Sequence, residues 1–294
     1  MFKGSLVALV TPFDGDNAVD YAALGRLVEF HVENGSDGLV VAGTTGESAT
    51  LGRDEHVELI ERAVELAAGR LPVIAGTGSN STAQTIDLSR AVAGSAIDGY
   101  LVVVPYYNKP VQEGMYRHFT AVAEAVDKPL MLYNVPGRTV ADLLPETVAR
   151  LAEHQNIVGI KDATGDMERL RDIAALVDDE FLLFSGDDFT ALEFLRAGGH
   201  GIVTVSGNIV PAAVARLCRL MREGAVEEAE RLDATLQPLN EALFAESNPI
   251  PVKWAVARMG LMATGIRLPL TEYGREHHGR MLSAMKAAGV ALKE

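Results

Sequence analysis

The sequence predicts an α/β protein in which a (β/α)8 TIM barrel is followed by a helical extension. Eight short apolar runs have the length and composition of buried β-strands, and no ninth run follows them. The interval after each run is long enough for one amphipathic helix. Most runs are apolar throughout, which is typical of parallel strands covered by helices. An open doubly wound sheet would need a topological switch point, which the sequence does not mark.

The predicted strands recur at intervals of 20 to 34 residues. In chain order they begin at Ser5, Gly38, Pro72, Gly99, Pro129, Ile157, Phe181 and Gly201. The segments 53–69 and 81–96 illustrate the predicted helices, because their apolar residues repeat every three to four positions. After about residue 210 the strand patterns stop, and residues 210–225 are predicted to form the eighth barrel helix. We therefore expect a barrel domain over 1–225 and a helical appendage over 226–294.

The composition is that of an acidic globular protein. The 294 residues include 26 Lys and Arg against 40 Asp and Glu, a formal net charge of −14. This balance argues against nucleic acid or an anionic membrane as a partner, because both attract basic surfaces. The single cysteine, Cys218, excludes an intrachain disulfide and lies in an apolar helical pattern typical of the core. With neither a membrane-spanning run nor a signal-peptide pattern, we expect a cytoplasmic protein.

Polar side chains follow the predicted strands at the points where they end. In barrels of this type, catalytic groups come from the C-terminal ends of the strands and the loops that follow. These ends carry Gly43–Ser48, Tyr106–Pro110, Tyr133–Thr139, Lys161–Asp162 and Ser185–Asp188. The first of them offers backbone N–H groups and two hydroxyls to a carboxylate, but it lacks the lysine and spacing of a P-loop. No complete set of metal ligands is evident, so we expect no metal.

Lys161 is the most informative single residue. It ends a run in which Val158 and Ile160 are expected to exclude water from its amino group. Desolvation favours the neutral amine, which attacks a carbonyl carbon to form a Schiff base. Considered alone, a lysine at a strand end more often extends to solvent or pairs with a neighbour such as Asp162.

Residues at the neighbouring strand ends favour the catalytic interpretation of Lys161. Tyr107 and Tyr133 end strands four and five, where a phenol can relay protons, although a strand tyrosine considered alone more often packs. Arg138 follows on the same loop as Tyr133, and its planar guanidinium suits a substrate carboxylate. The combination of amine, phenols and guanidinium favours Schiff-base chemistry.

Four motifs in chain order resemble the dihydrodipicolinate synthase family of pyruvate-dependent class I aldolases and lyases. They are TTGES at 44–48, PYYNKP at 105–110, YNVPGRT at 133–139 and GIKDATGD at 159–166, and the likeness continues at NPIPVKWA, 248–255. The resemblance implies a TIM barrel without cofactors that condenses pyruvate with L-aspartate 4-semialdehyde. The product would be 4-hydroxy-tetrahydrodipicolinate, which leads to diaminopimelate and lysine.

The resemblance also implies a role for each matching residue. Lys161 would form the imine with pyruvate, and Arg138 would bind the carboxylate of the aldehyde. The implied proton relay consists of Tyr133, Thr45 with Thr44 beside it, and Tyr107. In the family this last tyrosine reaches in from the adjoining subunit, so the resemblance implies a homo-oligomer, usually a homotetramer built as a dimer of dimers. Thr45 and the backbones of Gly186 and Val203 would line the pyruvate pocket, where the family often has isoleucine at the latter position.

A separate effector pocket is implied for family members that lysine inhibits. Its residues would be Ser48, Ala49, His56, Asn80 and Tyr106. Two further positions depart from the inhibited pattern, since Arg53 replaces a usual histidine and Gln84 a usual glutamate. A gained cation and a lost anion both weaken the binding of a cationic amino acid. We therefore predict weak or absent inhibition by lysine.

Two alternative functions stay open at this point. N-acetylneuraminate lyase and 2-keto-3-deoxy-sugar-acid aldolases share the lysine and tyrosine, and mainly Arg138 favours an aldehyde that bears its own carboxylate. A catalytically silent barrel that acts as a binding protein would not be expected to keep Lys161, both tyrosines and the arginine together.

Overall fold

A closed barrel of eight parallel strands forms the centre of the computed structural model, which describes residues 2–292. Each strand pairs with its neighbours in chain order, and the last pairs with the first. The strands are β1 (Gly4–Ala8), β2 (Gly38–Val41), β3 (Val73–Gly76), β4 (Gly99–Val103), β5 (Leu130–Asn134), β6 (Ile157–Asp162), β7 (Leu182–Ser185) and β8 (Gly201–Thr204). All begin within one residue of the predicted positions, so the predicted fold class is confirmed.

Helices surround the barrel and continue beyond it. They are α1 (Tyr21–Glu33), α2 (Arg53–Ala67), α3 (Thr82–Val92), α4 (Gln112–Glu124), α5 (Pro136–Thr139), α6 (Pro145–Ala152), α7 (Met167–Leu176), α8 (Ala191–Arg196), α9 (Pro211–Glu223), α10 (Val226–Leu243), α11 (Ile250–Arg258) and α12 (Arg275–Ala287). Helix α9 lies within the segment predicted as the eighth barrel helix. The division into two domains at residue 225 stays a prediction.

Alternation along the strands divides the apolar side chains into two layers. The inner layer fills the barrel and contains Leu6, Ala8, Val40, Ile74, Leu101, Met131, Tyr133, Val135, Leu182, Phe184 and Val203. The outer layer lies between strands and helices and includes Leu39, Leu132 and Ile160. Successive strand residues point to opposite faces, so each strand contributes to both layers. Residues that end a strand on the inner face therefore lie at the mouth of a packed interior.

Local caps start and end the helices that carry site residues. The Asp166 carboxylate accepts hydrogen bonds from the backbone N–H groups of Glu168 and Arg169, at 2.9 and 3.2 Å, at the start of α7. Such a cap satisfies N–H groups that have no partner within the helix. Gly224 ends α9 with a φ of 76°, a left-handed conformation that glycine adopts without steric cost.

Cys218 is buried in the outer layer on α9, as predicted. No helix in the described part of the chain combines the length and the apolar character needed to cross a membrane.

A buried histidine lies between α1 and the turn that follows it. His31 is fully buried, and its Nδ1 atom is 3.0 Å from the Ser36 hydroxyl. Its Nε2 atom has no hydrogen-bond partner among residues 2–292. Burial disfavours the imidazolium and lowers the pKa of His31 to about 3. The His31 imidazole therefore takes up a proton near pH 6.5 in the unfolded chain but stays neutral at that pH in the folded protein.

Replacement of His31 by Asn is expected to reduce the acid sensitivity of the fold. Below pH 6.5 the unfolded state binds the His31 proton and the folded state does not, so the free energy of unfolding falls as pH falls. Between pH 7 and pH 5 this histidine contributes a loss of about 2 kcal/mol. Urea unfolding at both values should show the parent losing about that much more than the variant. Equal losses would contradict the assignment.

Candidate active site

Lys161 ends β6 on the inner face of the barrel. Its strand pairs with β5 so that Tyr133 lies directly opposite, and the lysine Nζ atom is 4.1 Å from the centroid of the Tyr133 ring. Only 6 % of Lys161 is exposed, so its amino group does not extend into bulk solvent. Phe184 lies opposite Lys161 on the other neighbouring strand and belongs to the inner layer. Aromatic and aliphatic surfaces thus surround the amine.

The carboxylate next to Lys161 in sequence has other partners. Asp162 is directed toward the helices, where its Oδ2 accepts hydrogen bonds from Arg169 Nε and Asn134 Nδ2, both at 3.1 Å. Its Oδ1 accepts from the backbone N–H of Thr164 at 2.9 Å. Asp162 therefore forms its ion pair with Arg169, whose Nη2 is also 2.9 Å from Asp142. The alternative of a pair between Lys161 and Asp162 is wrong, because the two side chains point to opposite faces of the strand.

The expected source of desolvation needs correction. Ile160 was predicted to exclude water from Lys161, but it belongs to the outer layer. Val158 packs against the inner layer at the other end of the barrel, among residues that precede the first five strands, so it does not shield the amine either. On the inner face the amine lies against the Tyr133 ring, and Phe184 is the register partner of Lys161 on β7.

Gly186 packs directly against the lysine side chain. A Cβ atom at this position would lie 2.7 Å from Lys161 Cε and 2.8 Å from Ala163 Cβ, which is closer than real Cβ contacts. The Gly186 N–H donates to the Asp162 carbonyl oxygen at 2.7 Å. Val203 lies on β8 in the inner layer. The two residues predicted to line a pyruvate pocket thus face the barrel interior.

The loop after β2 brings two threonines to the barrel mouth. Thr45 is buried, and its Oγ1 accepts a hydrogen bond from Asn248 Nδ2 at 3.0 Å. The Gly46 N–H donates to the Gly43 carbonyl oxygen at 3.1 Å, so this amide is already used within the turn. Thr44 lines an open cleft beside the barrel mouth. The loop therefore offers hydroxyl groups to a ligand, whereas at least one of its backbone N–H groups forms a hydrogen bond within the turn.

Arg138 lies in the same cleft, which has a volume of about 680 Å³. Its Nη2 donates to the carbonyl oxygen of Asn248 at 3.2 Å. Most predicted effector-pocket residues share the lining with it: Ser48, Ala49, His56 and Tyr106, together with Arg53 and Gln84. Asn80 follows Ser79, which lines the cleft, and its carbonyl oxygen accepts a hydrogen bond from Asn108 Nδ2 at 2.8 Å.

Two of the effector-pocket positions have charged or polar partners. Arg53 Nε donates to Asp87 at 2.6 Å, and the Gln84 side chain accepts from the Ser79 hydroxyl at 3.0 Å. His56 is buried, its Nε2 is 2.8 Å from the Gly76 carbonyl oxygen, and burial lowers its pKa. The weak lysine inhibition expected from Arg53 and Gln84 stays a prediction.

Tyr107 is a predicted site residue that the single chain leaves exposed. Its side chain is 86 % exposed, and its φ of 74° is unusual for a residue other than glycine. Such exposure leaves the ring away from the buried pair of Tyr133 and Lys161.

The sequence analysis missed a buried ion pair beneath the threonine loop. Glu47 and Lys253 are in direct contact, with side-chain exposures of 1 % and 2 %. Burial lowers the pKa of Lys253, and the neighbouring Glu47 carboxylate opposes this shift. Both residues lie within the TTGES and NPIPVKWA motifs, but nothing local in either motif indicates that they pair. Among residues 2–292, no three His, Cys, Asp or Glu side chains come together as a metal-binding group.

Comparison with known proteins agrees with this arrangement. The profile of the Dihydrodipicolinate synthetase family matches residues 1–288. A 4-hydroxy-tetrahydrodipicolinate synthase of Teredinibacter turnerae is 52 % identical over 289 residues, covering 98 % of this chain and 99 % of that protein. The chloride-inhibited dihydrodipicolinate synthase of Acinetobacter baumannii, solved in complex with pyruvate, has a TM-score of 0.97 and 46 % identity, covering 99 % of this chain and 100 % of that one. The Aquifex aeolicus dihydrodipicolinate synthase has a TM-score of 0.97 and 44 % identity, with both chains fully covered. This chain belongs to the dihydrodipicolinate synthetase family.

Proposed function

We propose that this protein is a lyase that condenses pyruvate with L-aspartate 4-semialdehyde to give 4-hydroxy-tetrahydrodipicolinate. The observation that carries the proposal is the buried Lys161 amine, aligned with the Tyr133 ring while the adjacent carboxylate is held by Arg169. The names of relatives at about 52 % identity support the same reaction. They favour it over the sugar-acid aldolases that share this chemistry.

The first step joins pyruvate to Lys161. The Nζ lone pair attacks the C2 carbonyl carbon of pyruvate, and loss of water from the carbinolamine leaves an imine. During this exchange the nitrogen loses its two protons and the carbonyl oxygen gains two, so that it leaves as water. We assign these transfers to the relay of Tyr133, Thr45 with Thr44 beside it, and Tyr107. The lysine stem packs directly against Gly186, so its position depends on the absence of a side chain there.

The second step forms the carbon–carbon bond and releases the enzyme. Loss of a methyl proton converts the imine to an enamine, whose terminal carbon attacks the aldehyde carbon of the second substrate. The amine of that substrate then attacks the imine carbon, displaces Lys161 and closes the ring. The covalent adduct replaces one difficult carbanion step with easier ones.

Arg138 is proposed to bind the carboxylate of the aldehyde at the mouth of the barrel. Its contact with the Asn248 carbonyl oxygen holds the guanidinium at the cleft wall. A planar guanidinium binds a carboxylate through two parallel hydrogen bonds, which orients the substrate as well as attracting it.

We also propose a cytoplasmic homo-oligomer, a dimer of dimers, in which Tyr107 enters the site of an adjoining subunit. Support comes from the exposure of Tyr107 and of other large apolar side chains near the barrel mouth: Tyr106, Val111, Val140 and Leu144. In this arrangement the relay of each subunit is completed by Tyr107 of the adjoining subunit.

Borohydride trapping with pyruvate tests the proposed chemistry. Borohydride reduces an imine to a stable amine, so peptide mass mapping should place the added mass on Lys161. Lys161→Arg should abolish labelling and lower kcat by at least about 1000-fold, because the nucleophile is lost. Lys286→Arg, at an exposed position on α12, is the matched control and should label Lys161 as the parent does. Labelling elsewhere, or parental turnover by Lys161→Arg, would overturn the proposal.

Mixed assemblies test whether Tyr107 acts across subunits. Tyr107→Phe and Lys161→Ala should each be nearly inactive alone. In a mixed oligomer, the Tyr107→Phe chain keeps Lys161 and receives Tyr107 from the other chain, so activity should return. A mixture of Tyr107→Phe with the double variant carrying both changes should stay inactive, because no chain in it supplies Tyr107. Mixed oligomers seen by native mass spectrometry without recovered activity would show that Tyr107 does not act in trans.

Gly186→Ala tests the space beside the lysine. Its added methyl group would displace the Lys161 side chain, and we expect kcat/KM for pyruvate to fall by at least about tenfold. Gly279→Ala on α12 is the control, because a Cβ there meets nothing within 4 Å. Steady-state kinetics on both variants provide the measurement. An unchanged kcat/KM in Gly186→Ala would place the reacting amine elsewhere.

A further inference from the structure

Strand β6 carries one residue more than β5 in the stretch where the two strands pair. Leu130 pairs with Ile157, but Met131 pairs with Gly159, so the register shifts by one residue and the pairing passes over Val158. Two residues of one strand opposite one residue of its partner form a β-bulge. We call Val158 and Gly159 the β6 bulge. Pairing at the start of the two strands therefore does not set the pairing at their end.

The β6 bulge determines which face of the barrel wall Lys161 occupies. Val158 packs against the inner layer, whereas Ile160 belongs to the outer layer, although residues two apart in a regular strand share a face. If the first pairing continued without a bulge, Ile160 would lie opposite Tyr133 on the inner face. Lys161 would then point toward the helices.

Gly159 allows β6 to carry the bulge and still pair with β7. It lies opposite Leu182, and a Cβ atom at Gly159 would be 2.6 Å from Leu182 Cβ and in contact with the Leu182 carbonyl oxygen. That separation is shorter than real Cβ contacts, so a side chain at this position would force the two strands apart. Glycine within a strand often marks a bulge or a close approach of two backbones, and Gly159 is found at both.

Polar side chains on the outer face connect β5 and β6 at their ends. Asn134 lies opposite Asp162, and its Nδ2 donates to Asp162 Oδ2 at 3.1 Å. The same Nδ2 donates to Asp142 Oδ1 at 2.9 Å. Arg169 on α7 pairs with both carboxylates, at 3.1 Å from Asp162 and 2.9 Å from Asp142. We call these four residues the outer-face lock.

The outer-face lock requires the register that aligns the amine with the phenol. Asn134 directly follows Tyr133, and Asp162 directly follows Lys161. In the unshifted register Asn134 would lie opposite Lys161, and its contact with Asp162 would be lost. The polar contact on the outer face and the alignment of Lys161 with Tyr133 on the inner face therefore occur together.

We propose that the β6 bulge and the outer-face lock form a positioning device that turns Lys161 into the barrel and aligns it with Tyr133. The inference rests on the proposed function, since that function gives the amine and the phenol their roles. The members of the bulge and the lock are positioning residues, which act through Lys161 and Tyr133. Loss of the device should slow the proton transfers between the two groups.

A double-mutant cycle tests whether Asn134 acts through Tyr133. Asn134→Ala should lower kcat by about tenfold in the parent, because the amine and the phenol lose their alignment. In a Tyr133→Phe background the same change should lower kcat by less than about twofold, since no hydroxyl group remains to be aligned. Asn156→Ala, which removes hydrogen bonds to the Ala123 and Val126 carbonyl oxygens, is the control and should leave kcat unchanged. Equal losses of kcat in both backgrounds would overturn the proposal.

Removal of Val158 tests the β6 bulge itself. Gly159→Ala should lower kcat at least about tenfold, because its Cβ atom disfavours the bulge and with it the inward position of the amine. Deletion of Val158 from that variant lets β6 pair with β5 without a bulge while Lys161 stays opposite Tyr133, so kcat should rise again by at least about fivefold. Gly25→Ala, where a Cβ makes only an ordinary contact, is the control and should leave kcat unchanged. A deletion variant with kcat as low as that of Gly159→Ala would overturn the proposal.

Trapping distinguishes failure of the positioning device from failure of the proposed function. With borohydride and limiting pyruvate, Asn134→Ala should label Lys161 at least about fivefold more slowly than the parent, because imine formation requires proton transfer. Equal labelling rates in the variant and in a labelled parent would overturn the positioning device alone. Absence of labelling in the parent itself would instead overturn the Schiff-base function.

Discussion

The register of β5 on β6 in a closed sheet is the constraint on which the site depends. Side chains alternate between the two faces of a strand, so the pairing of Tyr133 with Lys161 sends the amine inward and Asp162 outward. A shift of one residue would exchange the two and place the carboxylate at the barrel mouth. One backbone register therefore aligns the phenol with the amine and also separates the amine from the neighbouring carboxylate.

The protein is acidic overall, but the carboxylates near the site are paired with basic residues. The chain carries a formal net charge of −14, yet two carboxylates near the barrel mouth, Asp162 and Glu47, are each bound to a basic residue. Lys161 and Arg138 face the region where the substrates are proposed to bind. Arg138 therefore lies in the cleft while both of these carboxylates are paired, an arrangement that suits the binding of a substrate carboxylate.

The fold and the reactive side chains could be predicted from the sequence, but the residues that contact those side chains could be predicted only in part. All eight strands were predictable, because strands buried on both faces are continuous apolar runs with clear ends. Lys161 and Tyr133 were predictable as strand-end residues. The sequence could not show which neighbours face the lysine, so Ile160 is wrongly predicted beside it and a pair with Asp162 stays open as an alternative. The pairing of Glu47 with Lys253 depends on how α11 packs against a distant loop, and no local pattern encodes that contact.

The position of Lys253 and Arg267 near the end of the chain bears on how the protein is made. Ribosomes release the N-terminal part first, so all eight strands emerge before the groups that hold the Glu47 carboxylate. A barrel that closed early would bury this carboxylate without a counterion, which is unfavourable. The Glu47 carboxylate of the β2 loop therefore gains its counterion and its second hydrogen-bond donor only after most of the chain has been made.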